Sequence, residues 1–330
     1  MPITLALVPV AAALACAAVI LTLLRRPELL PVDRPNERSL HTVPVPRIGG
    51  LGIMAGVLVA FALLRTTPML ALAVAGLAAV SFLDDRAHLP VPVRLGAHAV
   101  AAITFAFVLL PDLHPLWQAI AALATMWMTN LYNFMDGSDG LAGGMALFGF
   151  AAYALGGWIG GDLVLAALSA GVAAAAAAFL LFNFPPARVF MGDAGSIPLG
   201  FLAAALGLMG WRHGLWSLWF PLLVFSPFIV DASVTLARRI LCGERFWQAH
   251  KTHYYQRGVQ LGWGHRDTAL AEYVLMAVCG AAALWSLGQP RAMQIAILGV
   301  VILIYCALAV AIDVAWLRQR NASRNDASAR

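Results

Sequence analysis

Four stretches of this chain set carboxylates, amides and imidazoles beside long apolar runs. In SFLDDRAHLPVPVRLG an apolar run ends on Asp84-Asp85. Adjacent carboxylates repel, which raises the proton affinity of one unless a cation is shared; that suits a metal-phosphate site or a general base. A solvated helix end beside Arg86 is the plain alternative. In NLYNFMDGSDGLAGG, residues Asn130, Asn133, Asp136 and Asp139 follow one another at intervals of three. On a helix each such step falls about 60° short of a full turn, so the four would line a pocket rather than a stripe. Gly137, Gly140, Gly143 and Gly144 allow the helix to unwind there and expose backbone groups to a phosphate or a base. The plain alternative is an Asx-rich turn between two helices.

In NFPPARVFMGDAGSIPLG, Asp193 stands between glycines just before a fresh apolar run. It could cap that helix, as could Ser196. The competing reading is a hard-cation site, because Mg²⁺ binds through one or two carboxylates plus substrate phosphates. The fourth stretch, RFWQAHKTHYYQRGVQLGWGHR, offers His250 and His253 with Tyr254, Tyr255, Gln256 and Arg257 as donors. It lacks the H-E-x-x-H pattern of a zinc protease, and an amphipathic interfacial helix explains it equally well. Arg47, beside Gly49-Gly50 in DRPNERSLHTVPVPRIGG, is a further candidate. Asp231, seven residues before Arg238, is either functional or half of an ion pair with it. His98, Glu272 and Asp313 are expected to be packing or membrane-edge groups.

The elements that carry these residues must lie in a bilayer. Of 330 residues, 62% are hydrophobic and 11% charged, with a mean hydropathy of +0.82, which leaves too little polar surface for a soluble globule. Apolar runs fall near 3–24, 48–64, 69–83, 96–110, 118–135, 141–158, 163–182, 197–211, 217–237, 268–287 and 292–317. The expected fold is therefore an all-α polytopic bundle of eleven, or ten, transmembrane helices. It forms one integral-membrane domain over 1–330, ending in a polar, basic, disordered tail from 318 to 330. Eighteen of the 21 basic residues fall on one side of this arrangement, leaving Arg65, Arg212 and Arg291 on the other. The N-terminus is accordingly expected outside, with the C-terminus and the polar motifs in the cytoplasm. Leu14-Ala15-Cys16 faintly resembles a lipoprotein cleavage site, but no basic residue precedes the run, so a spanning helix is expected. The four cysteines follow no C-x-x-C spacing and are read as packing residues.

Taken in order and register, the motifs from Asp33 to His265 resemble the polyprenyl-phosphate N-acetylhexosamine-1-phosphate transferases, also grouped as glycosyltransferase family 4. DRPNERSLHTVPVPRIGG is similar to that family's first cytoplasmic loop and Asp84-Asp85 to its aspartate pair. NLYNFMDGSDGLAGG and NFPPARVFMGDAGS are similar to its N-x-x-N-x-x-D-G-x-D-G-L-A and N-x-x-P-A-x-x-F-M-G-D-x-G-S signatures. The resemblance implies that Asp193 holds Mg²⁺, for which Mn²⁺ could substitute, with Asn133 and Asp136 in the metal and diphosphate site. It implies that Asp139, Asn183 and Phe190 meet the uridine, and that Asp84 or Asp85 handles the lipid phosphate. Asp84, Asp85 and Asp136 are thus the candidate catalytic groups. Arg47, Asn130, Asp231, Arg238, His250, His253 and Arg257 complete the candidate substrate contacts, the arginines by neutralising phosphate charge.

The implied reaction joins a UDP-N-acetylhexosamine to undecaprenyl phosphate and releases UMP, at the bacterial inner membrane, with no nucleic-acid partner, in a monomer or homodimer. His250-Lys-Thr-His253 departs from the family's tighter H-x-H-H run. The chain resembles the branch that builds O-antigen and other surface polysaccharides more than the peptidoglycan branch, which uses UDP-N-acetylmuramoyl pentapeptide. A cation-coupled transporter remains the alternative from another class, and predicts polar groups near the bilayer midplane.

Overall fold

The computed structural model describes residues 3–26, 31–33, 35, 40, 43–66, 68–87, 89–245 and 250–328. Arg34, Arg38 and Arg330, counted above among the basic residues of one side, lie outside the described residues. The chain runs α1 (Ile3–Leu24), β1 (Val32–Asp33), β2 (Val45–Pro46), α2 (Gly49–Leu64), α3 (Pro68–Ala87), α4 (Val91–Leu109), α5 (Pro115–Phe134), α6 (Leu141–Ile159) and α7 (Leu163–Asn183). It continues through α8 (Asp193–Arg212), α9 (Trp219–Val224), α10 (Ser226–Leu241), α11 (Tyr254–Gly258), a π-helical stretch (Val259–Trp263), α12 (Gly264–Ser286) and α13 (Arg291–Ser328). Among the described residues, eight helical segments are long and apolar enough to cross a membrane. This is a multi-pass membrane protein.

Each apolar run in the sequence falls on helix, but the edges move. Helices α3, α4 and α8 extend past the cuts at 83, 96 and 197 to take in Asp84-Asp85, Arg94 and Asp193. Charged residues end an apolar run without ending a helix, because the backbone ladder can continue into polar surroundings. The run at 217–237 is two helices, broken at Phe225. Pro227 has no N–H for the Leu223 carbonyl, and Ser226 Oγ donates to that oxygen at 2.7 Å instead. Helix α13 continues through Ser328, into the stretch the sequence marks as a disordered tail; extending an existing helix costs far less than starting one. Helix α5 is 20 residues long but carries Gln118, Thr125, Thr129 and Asn130. The last three return their donors to carbonyls four residues back, at 2.7–2.8 Å, and so remain satisfied inside the bundle.

Small residues set the closest helix contacts. Where α2 meets α8, a Cβ on Gly50 would fall on the backbone of Gly195, 2.6 Å from its Cα. Gly52 and Gly56 let α2 approach the α1 backbone at Cys16 and Ala12 in the same way. Behind these contacts, Phe150, Tyr153, Trp216, Phe220 and Phe225 form one aromatic cluster, with ring centroids between 4.6 and 6.1 Å apart.

The two-residue strands matter for position. β1 and β2 pair antiparallel, and Arg47 then bridges to Phe190. Phe190 N–H donates to Pro46 O at 2.9 Å, while Gly49 and Gly50 donate to Phe190 O and Met191 O at 2.9 and 2.8 Å. The first loop is thereby stitched to the turn that opens α8.

Candidate active site

The ends of α3, α5 and α7 and the starts of α4, α6 and α8 meet at one end of the bundle, and the polar motifs converge there. Asp84 is not a solvated helix end: its carboxylate accepts from Leu89 N–H and from Arg94 Nη1, both at 2.7 Å. Asp85 points to the other side, where it accepts from the Ala194 N–H at 3.4 Å and lies 3.6 Å from Arg47 Nη1. Arg47 is held in turn by Asp33 at 2.7 Å.

Asp193 is the first residue of α8 rather than its cap; Gly192 occupies the cap position with no side-chain bond. Capping of the free amides falls instead to Asp85, from another helix. Gly192 adopts φ +70°, ψ 171°, and a Cβ there would lie 3.1 Å from Asp85 Oδ2 and 3.3 Å from Arg47 Cβ. Only glycine fits that conformation in that gap. Ser196 Oγ does not cap either, and donates to Asn133 Oδ1 at 3.0 Å.

Asn130 and Asn133 lie on α5, but the helix ends at Phe134, so Asp136 and Asp139 belong to the following loop. The three-residue spacing therefore does not continue as one helical face. The glycines after Asp136 favour the turn, and Gly140 takes φ +76° at the start of α6. Asp139 Oδ2 accepts from Ala187 N–H at 2.9 Å. Asn183 is buried and braces the backbone: Oδ1 accepts from Gly140 N–H and Nδ2 donates to Val189 O, each at 2.9 Å. The carboxylate of Asp136 accepts no hydrogen bond among the described residues. Burial, then the negative charge of Asp193, pushes the Asp136 carboxyl up to about 7, against a lowering by Arg47 and with smaller raising effects from Asp85 and Asp33.

A polar cavity of about 70 Å³ lies beside these groups, lined by Ser81, Asp84, Arg94, His98, Asn130, Asn133 and Asp193 among others. Arg94 Nη1, 2.7 Å from Asp84, is also 3.9 Å from Asp193. Two ionisable residues of this cavity, Arg94 and His98, are not among the candidates the sequence offers. Arg94 had registered only as a basic residue, and His98 as packing, yet His98 is buried with Nδ1 unpartnered among the described residues. Their spacing from Asp84, 10 and 14 residues across a turn, carries no periodic signal.

The C-terminal residues assemble separately. Asp231 does not pair with Arg238. It accepts from Thr235 Oγ1 at 3.1 Å and from the backbone N–H of Tyr254 and Tyr255 at 3.0 Å, and contacts His253 Nδ1 at 3.1 Å. The seven-residue spacing does share a face, but the start of α11 reaches Asp231 first. Arg238 and Arg257 both grip Asp313 of α13, at 2.6 Å. Both guanidinium groups thus share one carboxylate within the chain, and Asp313 is an ion-pair hub rather than a packing group. The His250 and His253 rings lie with centroids 4.9 Å apart, tilted by 31°. Burial, then the neighbouring His253 and Arg239, lowers the His250 imidazole to about 4, so it is neutral at pH 7.

Among the described residues, no group of three or more His, Cys, Asp or Glu could hold a metal by itself. The donor set nonetheless fits a hard cation that completes its shell with phosphate and water. Asp85, Asp136 and Asp193 repel one another, and Arg47 and Arg94 answer them only in part.

The sequence profile described as glycosyl transferase family 4 matches residues 67–211, which span α3 to α8 and every carboxylate of this cluster. A probable undecaprenyl-phosphate N-acetylglucosaminyl 1-phosphate transferase of Bacillus subtilis (strain 168) is 32% identical over 265 residues, covering 74% of each chain. The chain belongs to glycosyl transferase family 4. A decaprenyl-phosphate N-acetylglucosaminephosphotransferase of Mycobacterium tuberculosis (strain ATCC 25618 / H37Rv) is 28% identical, over 82% of this chain and 80% of its own. A phospho-N-acetylmuramoyl-pentapeptide-transferase of Levilactobacillus brevis is 34% identical, but over 42% of this chain and 43% of its own. The glycosyl transferase family 4 match thus covers Asp84, Asp85, Asp136 and Asp193, while Arg47 of the first loop and the α10–α13 region lie beyond the matched profile.

Proposed function

We propose that this protein is a sugar-1-phosphate transferase which moves N-acetylhexosamine 1-phosphate from a UDP-sugar to undecaprenyl phosphate and releases UMP. The observation that carries this reading is the convergence of Asp85, Asp136 and Asp193 with Arg47 and Arg94 around a glycine-backed turn at one end of a membrane bundle. An anionic acceptor attacking an anionic diphosphate needs charge neutralised more than it needs covalent help. Relatives named for N-acetylglucosamine transfer match along most of the chain, whereas the muramoyl-pentapeptide enzymes match half of it or less. That coverage supports N-acetylglucosamine or a related N-acetylated sugar as donor; in this proposal the product enters surface-polysaccharide synthesis.

In this reading a phosphate oxygen of the lipid attacks the sugar-bearing phosphorus, and the bridging P–O bond breaks so that UMP leaves. Arg94, with the amides of Asn130 and Asn133, receives the acceptor phosphate in the polar cavity, and Asp84 fixes Arg94 in place. Arg47 lies on the donor side, against Asp85 and the Phe190 turn. Asp193, Asp136 and Asn133 would hold Mg²⁺, which supplies charge neutralisation to the diphosphate. Holding acceptor and donor in line is then the protein's main contribution. An apolar cavity of about 650 Å³, lined by residues including Met128, Leu131, Leu208, Trp211, Leu222 and Phe225, provides a berth for the polyprenyl chain.

Chemistry at the cytoplasmic face, with the N-terminus outside, follows from the side that holds most of the arginines. The transporter reading predicts polar groups at the midplane, and the gathering of the site at one end of the bundle favours the enzyme. The test incubates purified protein with undecaprenyl phosphate, MgCl₂ and a panel of UDP-N-acetylhexosamines, with an EDTA control. UMP release that needs metal and selects one donor is expected. Folded protein that releases no UMP with any donor would overturn the proposal.

A further inference from the structure

His265 opens α12, and both of its ring nitrogens are engaged. Nδ1 lies 2.9 Å from Ser138 Oγ and 3.3 Å from the Asp139 backbone nitrogen, and Nε2 lies 3.2 Å from the Leu40 carbonyl oxygen. The Asp139 N–H can only donate and the Leu40 carbonyl can only accept. The pattern therefore assigns the proton to Nε2 and makes Nδ1 the acceptor. Asp139 Oδ1 is 3.8 Å from Nδ1, beyond hydrogen-bond reach, so the contact with that residue runs through its backbone. One imidazole thus joins three segments that are remote in sequence: the first loop, the 136–140 loop and the start of α12.

The loop it grips is pinned at every residue after Asp136. Gly137 sits against the Tyr255 hydroxyl, which occupies the place of a Cβ. Ser138 and the Asp139 amide belong to His265. Gly140 donates to Asn183 and accepts from Tyr273 Oη at 2.8 Å. Asp136, with its carboxylate unbonded among the described residues, is what these anchors aim. On the other side of the ring, Leu40 belongs to the loop that ends in Arg47, so the same side chain also bonds to the donor-side loop seven residues before that arginine.

We propose that His265 is a positioning residue that couples Leu40 of the first loop to the loop bearing Asp136, aiming that carboxylate through Nδ1 and tethering Leu40 through Nε2. The proposal rests on the phosphotransferase reading of this site. It assigns a role to a region outside the profile match, and it separates into two contacts that conservative substitutions can test one at a time. The side-chain amide of Asn reaches the place of Nδ1, whereas that of Gln reaches the place of Nε2.

The experiment compares wild type, His265→Asn, His265→Gln and His265→Ala in metal-dependent UMP release, with thermal unfolding of each. Amide hydrogen exchange without substrate is followed at residues 137–140. His265→Asn keeps the loop contact, so kcat should stay within about threefold while KM for the nucleotide-sugar rises about tenfold. His265→Gln releases the loop, so kcat should fall about 10- to 100-fold and residues 138–140 should exchange faster. His265→Ala should show both losses. Equal kinetics for the Asn and Gln variants, or losses that merely track the folded fraction, would overturn the coupling. If wild type turns over no donor, the phosphotransferase reading fails by itself. Hydrogen exchange then still decides the contact, because unchanged exchange in His265→Gln overturns it.

Discussion

Nη1 of Arg94 lies 2.7 Å from Oδ2 of Asp84. The pair joins the end of α3 to the start of α4 and sets an arginine at the wall of the polar cavity, with Asp193 at 3.9 Å from the same nitrogen. One carboxylate of the aspartate pair thus orients a cation, while the other meets the start of α8. The two neighbours in sequence do different work.

Asp193→Asn and Asp84→Asn should each abolish turnover and leave expression and membrane insertion intact. The first removes a charge from the cation site, and the second lets Arg94 drift from the acceptor phosphate. UMP release from protein that elutes as wild type on gel filtration checks both, and near-normal rates would remove the residue concerned from its role.

Arg94→Lys keeps a positive charge but not the flat, fixed geometry with which guanidinium grips a carboxylate. Turnover should fall about 10- to 100-fold, mostly in kcat, because the acceptor phosphate is misplaced rather than lost. Steady-state kinetics in undecaprenyl phosphate would show instead a pure KM effect if Arg94 served only to bind.

Gly192→Ala forces a Cβ into a left-handed backbone position between Asp85 and Arg47. The strain should cost about 1–3 kcal/mol, seen as a lower Tm, and turnover should fall further than stability does. An unchanged Tm would mean that the turn can relax without loss.

His250 titrates below its ordinary value because burial and its neighbours disfavour the cation. The folded state therefore binds fewer protons than the unfolded chain between about pH 4 and pH 6.5. Stability held by the neutral ring is complete above that window and is lost as pH falls through it. His250→Gln should flatten the Tm profile there. A profile with the wild-type slope would assign the acid sensitivity to another group.

Much of this protein is set by local features of its sequence. Long apolar runs oblige helices, because buried backbone groups in a bilayer must bond within their own segment. Motif order was enough to bring Asp84-Asp85, the 130–139 stretch and Asp193 into one expected site. What distance along the chain could not reveal were the partners. Asp231 looked matched to Arg238 by helical spacing, yet it holds the backbone of Tyr254 and Tyr255. The same arginine crosses instead to Asp313, 75 residues away.

Neither Arg94 nor His265 stands out for a role in the sequence, although His265 closes the fourth polar stretch. An arginine near an apolar run reads as a topology marker, and a histidine at the end of a polar loop has no evident partner, until folding places each against a carboxylate or a loop from another element. Residue type and spacing determine which chemistry is available and which segments are helical. Which donor satisfies which acceptor is decided only by the tertiary structure, because a buried polar group takes the nearest partner in space.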